Sequence, residues 1–220
     1  MNTLSRRQFI TLTGAATAAG LLTSMDLSAA SSSHFLQETA EQRRRRRFVN
    51  LELITHEGKK VHFYDDLIKD KTVLINFIYT ICKNESFCPM MSLNLTKVQK
   101  LLGDRLGRDV FMYSITLDPT VDTPQQLAAY ASYFKPKSGG WQFLTAASPE
   151  IIETLRTNLG FRWADKVRDQ DKQQHIGMIK YGIEPLERWG TCPALSKPEA
   201  IVSYLDWMTP NKSRPVVRGL

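Results

Sequence analysis

Two cysteines that lie close together in the sequence are the residues best suited to chemistry. Cys82 follows an apolar, β-branched run at residues 72–79, and Cys88 comes six positions later, directly before Pro89. A thiolate is both a nucleophile and a soft metal ligand that selects Cu(I) and Zn²⁺. A reversible disulfide would use the same two sulfur atoms, so metal loading and thiol oxidation would compete at this pair.

A distant histidine is the third candidate. His175 precedes Ile176, where the sequence predicts the start of a strand. A neutral imidazole completes a three-coordinate copper site well. Taken alone, however, a histidine in this position is more often structural. The nearby Met178 fits core packing better than metal binding.

The pattern of apolar residues predicts the elements that hold these side chains. Residues 72–79 and 109–117 are nearly continuous apolar runs, as expected for strands buried on both faces. Other strands are predicted at 48–55, 60–63, 141–145 and 176–181, and helices at 89–106, 123–134, 148–160 and 196–208. This alternation predicts an α/β domain with βαβ units, a mostly parallel sheet covered on both faces and an N-terminal hairpin. No Gly-rich phosphate loop follows a strand, which argues against nucleotide binding.

The predicted elements place the cysteine pair well for ligand binding. Cys82 comes just past a buried strand, and open α/β sheets bind ligands at the carboxyl ends of their strands. Cys88 comes at the start of a helix, whose positive dipole end favours a thiolate. A plain structural disulfide between the two is the alternative, although a small loop limits the stability that such a bond adds.

At these residues the chain resembles the Sco/SenC family of copper-binding assembly proteins. The resemblance extends over about residues 48–209. It rests on Tyr79-Thr80-x-Cys82, Cys88-Pro89, the stretch Ser114 to Pro119 running into Asp122-Thr123-Pro124, and His175 before a strand.

The resemblance implies a thioredoxin-like central sheet flanked by helices. It also implies copper, as Cu(I) or Cu(II), bound by Cys82, Cys88 and His175, with the two cysteines doubling as a redox pair. Family members help to build the binuclear copper centre of cytochrome c oxidase, or reduce the thiols of that centre. The implied partners are a copper-dependent oxidase subunit or another copper enzyme, and a thiol-disulfide reductant. This chain places five residues between its cysteines, where the family usually places three.

Three other functions compete with copper assembly. A thiol-disulfide oxidoreductase outside the cytoplasm usually carries Cys-x-x-Cys, which is absent here. A peroxiredoxin-like peroxidase needs a threonine at a fixed offset before its cysteine, where Tyr79 and Glu85 stand. A redox signalling protein that senses copper is the third. Of the remaining candidates, Cys192 is expected to be a thiol that binds no metal. Asp118 and Asp122 are candidates for shaping the site, and turn and helix-entry roles explain both without chemistry.

The N-terminus predicts export. Arg6-Arg7-Gln8-Phe9 precedes an uncharged stretch, and small residues at 28–30 suit a signal peptidase. This layout resembles a twin-arginine signal. We therefore predict a signal segment at 1–30, a flexible Ser/Arg-rich linker at 31–47, the domain at 48–209 and a tail at 210–220. The protein would work in the periplasm or at the outer face of the cytoplasmic membrane, where its cysteines meet oxidising conditions.

The positive charge is confined to one run. The formal net charge is +7, and Arg43 to Arg47 supply five consecutive positive charges, so the predicted domain itself is close to neutral. No aromatic residue interrupts this run, which argues against nucleic-acid binding. A solvated basic tail is the simplest interpretation, and attraction to an anionic membrane surface is the more specific one.

Overall fold

A mixed sheet forms the centre of the protein. The computed structural model describes residues 38–81, 87–170 and 176–210. The strands in these ranges are β1 (Glu52–Thr55), β2 (Lys60–His62), β3 (Thr72–Ile78), β4 (Val110–Thr116), β5 (Trp141–Thr145), β6 (Met178–Ile183) and β7 (Arg188–Pro193). The helices are α1 (Ala40–Arg47), α2 (Phe87–Leu102), α3 (Pro124–Ser132), α4 (Pro149–Leu159), α5 (Lys166–Gln170) and α6 (Pro198–Met208).

The strand order is β2-β1-β5-β4-β3-β6-β7. Strands β3, β4 and β5 run parallel, and their neighbours β1 and β6 run antiparallel to them. The expectation of a mostly parallel sheet was therefore wrong, because four of the six pairings among the described strands are antiparallel. Among the described strands, β7 is the one that the sequence analysis missed, since Arg188–Pro193 contains glycine and proline and lacks apolar alternation.

Each face of the sheet supports its own core. On one face, Leu74 and Ile78 of β3 pack with residues of α2, α3 and α6. On the other face, Ile75 and Phe77 pack with α4 and with a π-helical turn at Phe63–Ile68. The prediction that β3 is buried on both faces is confirmed, and its last six residues are all buried.

The arginine run is a helix rather than part of a flexible linker. Thr39 caps α1 in a capping box with Gln42, so the expectation of an unstructured linker up to residue 47 was wrong for residues 40–47. Residues from Glu38 onward belong to the same compact unit as the sheet.

Two arginines dock α1 on the domain. Arg44 Nε donates to Glu184 Oε1 at 2.9 Å, and Arg45 donates to both carboxylate oxygens of Asp65 at 2.7 and 3.1 Å. Glu184 is 1% exposed and also accepts from the Tyr64 hydroxyl at 2.8 Å. Burial and the Glu184 carboxylate together raise the pKa of Tyr64 to about 12. A helix held by buried contacts of this kind is part of the domain.

Several sequence expectations fall outside the described residues. The signal segment at 1–30, the linker up to residue 37 and the tail from residue 211 are among them. Within the described ranges, none of the helices has the length and apolar character needed to cross a membrane.

Candidate metal and thiol site

The structure places Cys88 next to the carboxyl end of β3. Cys88 is the second residue of α2 and is fully buried in the core beside Ile78 and Met91. The backbone N–H of Tyr79 donates to its sulfur at 3.5 Å. Both this N–H group and the helix N-terminus place positive charge density near the sulfur, whereas its apolar burial disfavours a charged form. The sequence analysis had placed Cys88 at the start of a helix, directly before Pro89, and the structure places it inside the first turn.

The other two predicted ligands lie outside the described residues. Cys82 belongs to the segment 82–86 and His175 to the segment 171–175. In the ranges that the structure describes, no group of three or more His, Cys, Asp or Glu side chains is placed to hold a metal ion. The three-ligand set of Cys82, Cys88 and His175 therefore stays a prediction.

Strands β3 and β6 bring the residues before the segment 82–86 and the residues after the segment 171–175 to the same end of the sheet. Strands β3 and β6 are antiparallel, with Asn76 opposite Ile179, so the carboxyl end of β3 lies beside the amino end of β6. Cys82 follows the first of these ends along the chain, and His175 precedes the second.

A close contact joins this end of the sheet to α2. The backbone of Gly177 lies against the ring of Phe87, so closely that a Cβ on Gly177 would stand 2.2 Å from Phe87 Cζ. The carbonyl of Gly177 also accepts from Ala194 N–H at 2.9 Å. Since Phe87 directly precedes Cys88, the chain that follows His175 packs against the start of the helix that carries Cys88.

Asp122 ties the ends of the two central strands together. Its side chain is buried, and one carboxylate oxygen accepts from the backbone N–H of Thr80 at 3.2 Å. The hydroxyls of Thr80 and Thr116 also donate to this carboxylate. The sequence analysis had named Asp122 as a candidate for shaping the site, beside a simpler turn or helix-entry role, and had not indicated these contacts. Thr116, near the end of the predicted strand at 109–117, was the sequence signal that could have indicated them.

Asp118 keeps the turn role that the sequence suggested. Its backbone N–H donates to Thr116 Oγ1 at 2.9 Å, and its backbone carbonyl accepts from Asp122 N–H at 2.9 Å. Its carboxylate accepts from the Thr120 hydroxyl. These contacts shape the loop between β4 and α3.

A buried ion pair lies on the amino-terminal side of segment 171–175. Asp169 of α5 accepts two hydrogen bonds from Arg156 at 2.7 and 2.8 Å, one from Arg162 at 3.0 Å and one from Trp163 N–H at 2.8 Å. The Arg156 guanidinium, helped by the Trp163 N–H, holds the pKa of Asp169 well below its usual range, although burial opposes this. No sequence motif had indicated this cluster.

Cys192 lies in the core on β7, opposite Ile179 of β6. Burial raises the pKa of its thiol to about 11. At neutral pH this thiol is therefore protonated and hidden from solvent, which makes it a poor nucleophile and a poor metal ligand.

Taken together, these features define a class of protein. A mixed sheet with three parallel central strands, helices on both faces and a cysteine in the first turn of the helix after the central strand is a thioredoxin-like fold that carries a thiol site. The SCO1/SenC family model matches residues 39–181, so the chain belongs to the SCO1/SenC family.

Known relatives agree with this assignment. The chain is 35% identical over 97 residues to the SCO1 protein homolog of Bacillus subtilis (strain 168), a match that covers 44% of this chain and 48% of that protein. The chain thus spans about half the length of this curated relative.

Two solved structures share the fold. Bradyrhizobium japonicum ScoI with copper bound is 26% identical, with a TM-score of 0.55, over 70% of this chain and 94% of that one. BsSco, a member of the Sco family of cytochrome c oxidase assembly proteins, is 24% identical, with a TM-score of 0.57, over 70% of this chain and 88% of that one. The prediction of a thioredoxin-like central sheet flanked by helices is confirmed.

Proposed function

We propose that this protein is a copper-binding assembly factor that delivers copper to, or reduces the thiols of, the binuclear copper site of a respiratory oxidase. Copper is its cargo, bound by Cys82, Cys88 and His175. Two relatives support this proposal: the Bradyrhizobium japonicum ScoI structure contains copper, and BsSco belongs to a family of cytochrome c oxidase assembly proteins.

The contact between Gly177 and Phe87 carries the site assignment. His175 precedes Gly177 by two residues, a stretch of chain that reaches at most about 7 Å. Cys88 directly follows Phe87, so the imidazole is tethered to a backbone that touches the Phe87 ring, and the thiol belongs to the residue next to that ring. Two thiolates and one imidazole form a soft donor set that suits Cu(I).

Cys82 follows Thr80 by two residues, and the Thr80 backbone is fixed to Asp122 at the end of β3. The chain has five residues between the cysteines, where the family usually has three. We propose that both sulfurs bind one copper ion despite this longer spacing.

Copper titration of the reduced protein tests this proposal. We expect one Cu(I) per chain, competed away by a chromophoric Cu(I) chelator, and loss of tight binding in Cys82→Ser, Cys88→Ser and His175→Ala. Cys192→Ser is the matched control, because it removes a buried thiol outside the proposed set and should leave the stoichiometry unchanged. Full binding in His175→Ala, or loss of binding in Cys192→Ser, would refute the ligand set.

Thiol-disulfide exchange is the second candidate function. It is favoured by the position of Cys88 at a helix N-terminus beside the Tyr79 N–H, because a thiolate is the attacking species in exchange. The same variants separate the two functions. Reduction of an oxidised oxidase copper-site domain that survives His175→Ala, in a variant that no longer binds copper, would favour exchange.

We also propose that the protein is exported by its twin-arginine segment and works at the outer face of the cytoplasmic membrane. Docking of α1 uses Arg44 and Arg45, and Arg47 packs over the rings of Phe48 and Trp189, so Arg43 and Arg46 are the exposed arginines that we propose face anionic lipids. Sedimentation with vesicles that contain about one-third anionic lipid tests this part. Binding should fall when these two arginines are changed to glutamine, and should weaken with added salt.

A further inference from the structure

One buried carboxylate, that of Asp122, binds the backbone just after the carboxyl end of β3. Asp122 is 1% exposed, and its two oxygens receive the Thr80 N–H, the Thr80 hydroxyl and the Thr116 hydroxyl. Thr116 is the last residue of β4, and Thr80 is the second residue after β3. A single side chain therefore fixes the point at which the chain leaves β3 toward the segment 82–86.

The carboxylate is not needed for the turn that contains it. The backbone N–H of Asp122 already bonds to the Asp118 carbonyl at 2.9 Å, and Thr123 caps α3 by accepting from Gln126 N–H. These local contacts complete the turn and the start of the helix. The three hydrogen bonds that the Asp122 side chain accepts come instead from Thr80 and Thr116, at the ends of β3 and β4.

We infer that Asp122 is a positioning residue for the thiol site: through Thr80 it fixes the amino-terminal stem of the cysteine-containing segment relative to Cys88. This inference rests on the proposed function for its copper readout, and it has a second readout that does not involve copper. Groups that orient metal ligands without touching the metal typically change affinity about 10–100-fold when they are removed.

The chain supplies a matched control. Glu184 is also a 1% exposed carboxylate with three donors, namely Arg44 Nε, the Tyr64 hydroxyl and the Asp70 N–H. It follows the carboxyl end of β6, whereas the candidate site lies at the amino end of that strand. Loss of either carboxylate should destabilise the fold, but only the loss of Asp122 should disturb the site.

The first experiment measures Cu(I) affinity in the full chain by competition with a chromophoric chelator. We expect Asp122→Asn to weaken binding by about tenfold or more. We expect Glu184→Gln to leave the affinity within about twofold, even though its melting temperature also falls. Equal changes in the two variants, or a change of less than about twofold in Asp122→Asn, would overturn the positioning role.

The second experiment measures the stability of the disulfide in the absence of metal. Two protein thiols and one oxidised glutathione give one protein disulfide and two reduced glutathiones, so atoms and electrons balance. We expect a fixed Thr80 backbone to favour the approach of the Cys82 and Cys88 sulfurs. Asp122→Asn should therefore lower the equilibrium constant for the Cys82–Cys88 disulfide by about tenfold, which is about 30 mV for a two-electron couple. Glu184→Gln should leave it unchanged.

The two experiments separate the failure of this inference from the failure of the copper proposal. If the parent protein binds no Cu(I), the copper proposal falls and the glutathione equilibrium alone decides the role of Asp122. If Asp122→Asn does not fold, Thr80 provides the test. Thr80→Ser keeps both donors and should keep copper affinity and disulfide stability, whereas Thr80→Val loses the hydroxyl donor and should weaken both. Identical behaviour of the serine and valine variants would overturn the inference.

Discussion

Replacing Asp169 with asparagine should lower the free energy of unfolding by about 2–4 kcal/mol at pH 7. The Asp169 side chain is 2% exposed and receives two hydrogen bonds from Arg156. Removal of one partner from a buried ion pair ordinarily costs about 3–5 kcal/mol. We expect a smaller loss here, because Glu153 lies 2.9 Å from the same guanidinium and keeps it paired.

The loss should also depend on pH in a defined direction. Arg156 lowers the pKa of Asp169 in the folded protein, whereas an aspartate in an unfolded chain titrates near a pKa of about 3.9. The ionised carboxylate therefore stabilises the fold fully above about pH 5, and this contribution is lost as the pH falls toward the folded pKa. The difference between the parent protein and the variant should shrink when the pH is lowered to about 3.

Urea unfolding followed by far-UV circular dichroism at both pH values measures the effect. Asp165→Asn is the control, because Asp165 is exposed and accepts a hydrogen bond from the Arg168 N–H at the start of α5. That change should stay within about 1 kcal/mol. A loss below about 1 kcal/mol for Asp169→Asn at pH 7, or an undiminished loss at pH 3, would refute the reasoning.

Three further predictions follow from the described contacts. Arg44→Met should lower the melting temperature by about 3–10 °C, because it leaves the buried Glu184 carboxylate without its cation. Arg46 is more exposed, so Arg46→Met should change the melting temperature by less than about 2 °C. Equal effects of the two changes would contradict the docking role of α1. Gly177→Ala should weaken Cu(I) binding by at least about fivefold in the chelator assay, because the new methyl group collides with the Phe87 ring, and the added change Phe87→Leu should restore part of it. Cys192 should resist iodoacetamide at pH 7 in the folded protein and react after unfolding, because burial raises its thiol pKa to about 11; labelling detected by mass spectrometry in the folded state would disprove this.

The central strands and their helices could be predicted because their signals are local. Strand β3 is a continuous apolar run, and α3 starts with a threonine cap followed by proline. Both signals depend on a few adjacent residues, so no knowledge of the rest of the chain was needed. The start of α2 differed by two residues, because Phe87 and Cys88 join the helix ahead of Pro89.

Helix α1 and strand β7 could not be predicted because their stability comes from distant partners. Helix α1 is almost entirely polar, and it docks because Arg44 pairs with the buried Glu184, which lies 140 residues later in the sequence. Strand β7 has weak strand character of its own and forms by pairing with β6. From composition alone, α1 was predicted to be part of a solvated linker, and nothing indicated β7.

Of the candidate ligands Cys82, Cys88 and His175, the structure describes only Cys88, so the ligand set stays a prediction. The cysteines were singled out by their positions after a strand and before a helix, and His175 by the resemblance to the family. The contacts of Asp122 and Asp169 could not be identified, because an aspartate on a turn and one in a buried network look the same in a sequence.

Helix α1 docks at the opposite end of β6 from the contact between Gly177 and Phe87. Arg44 holds α1 to Glu184 at the carboxyl end of β6, while Gly177 and Phe87 meet at its amino end, about 20 Å away for a strand of this length. Helix α1 therefore packs at the end of the sheet opposite Cys88. If residues upstream of α1 hold the protein at a membrane, the end of the domain that carries Cys88 is the one turned away from the lipid surface.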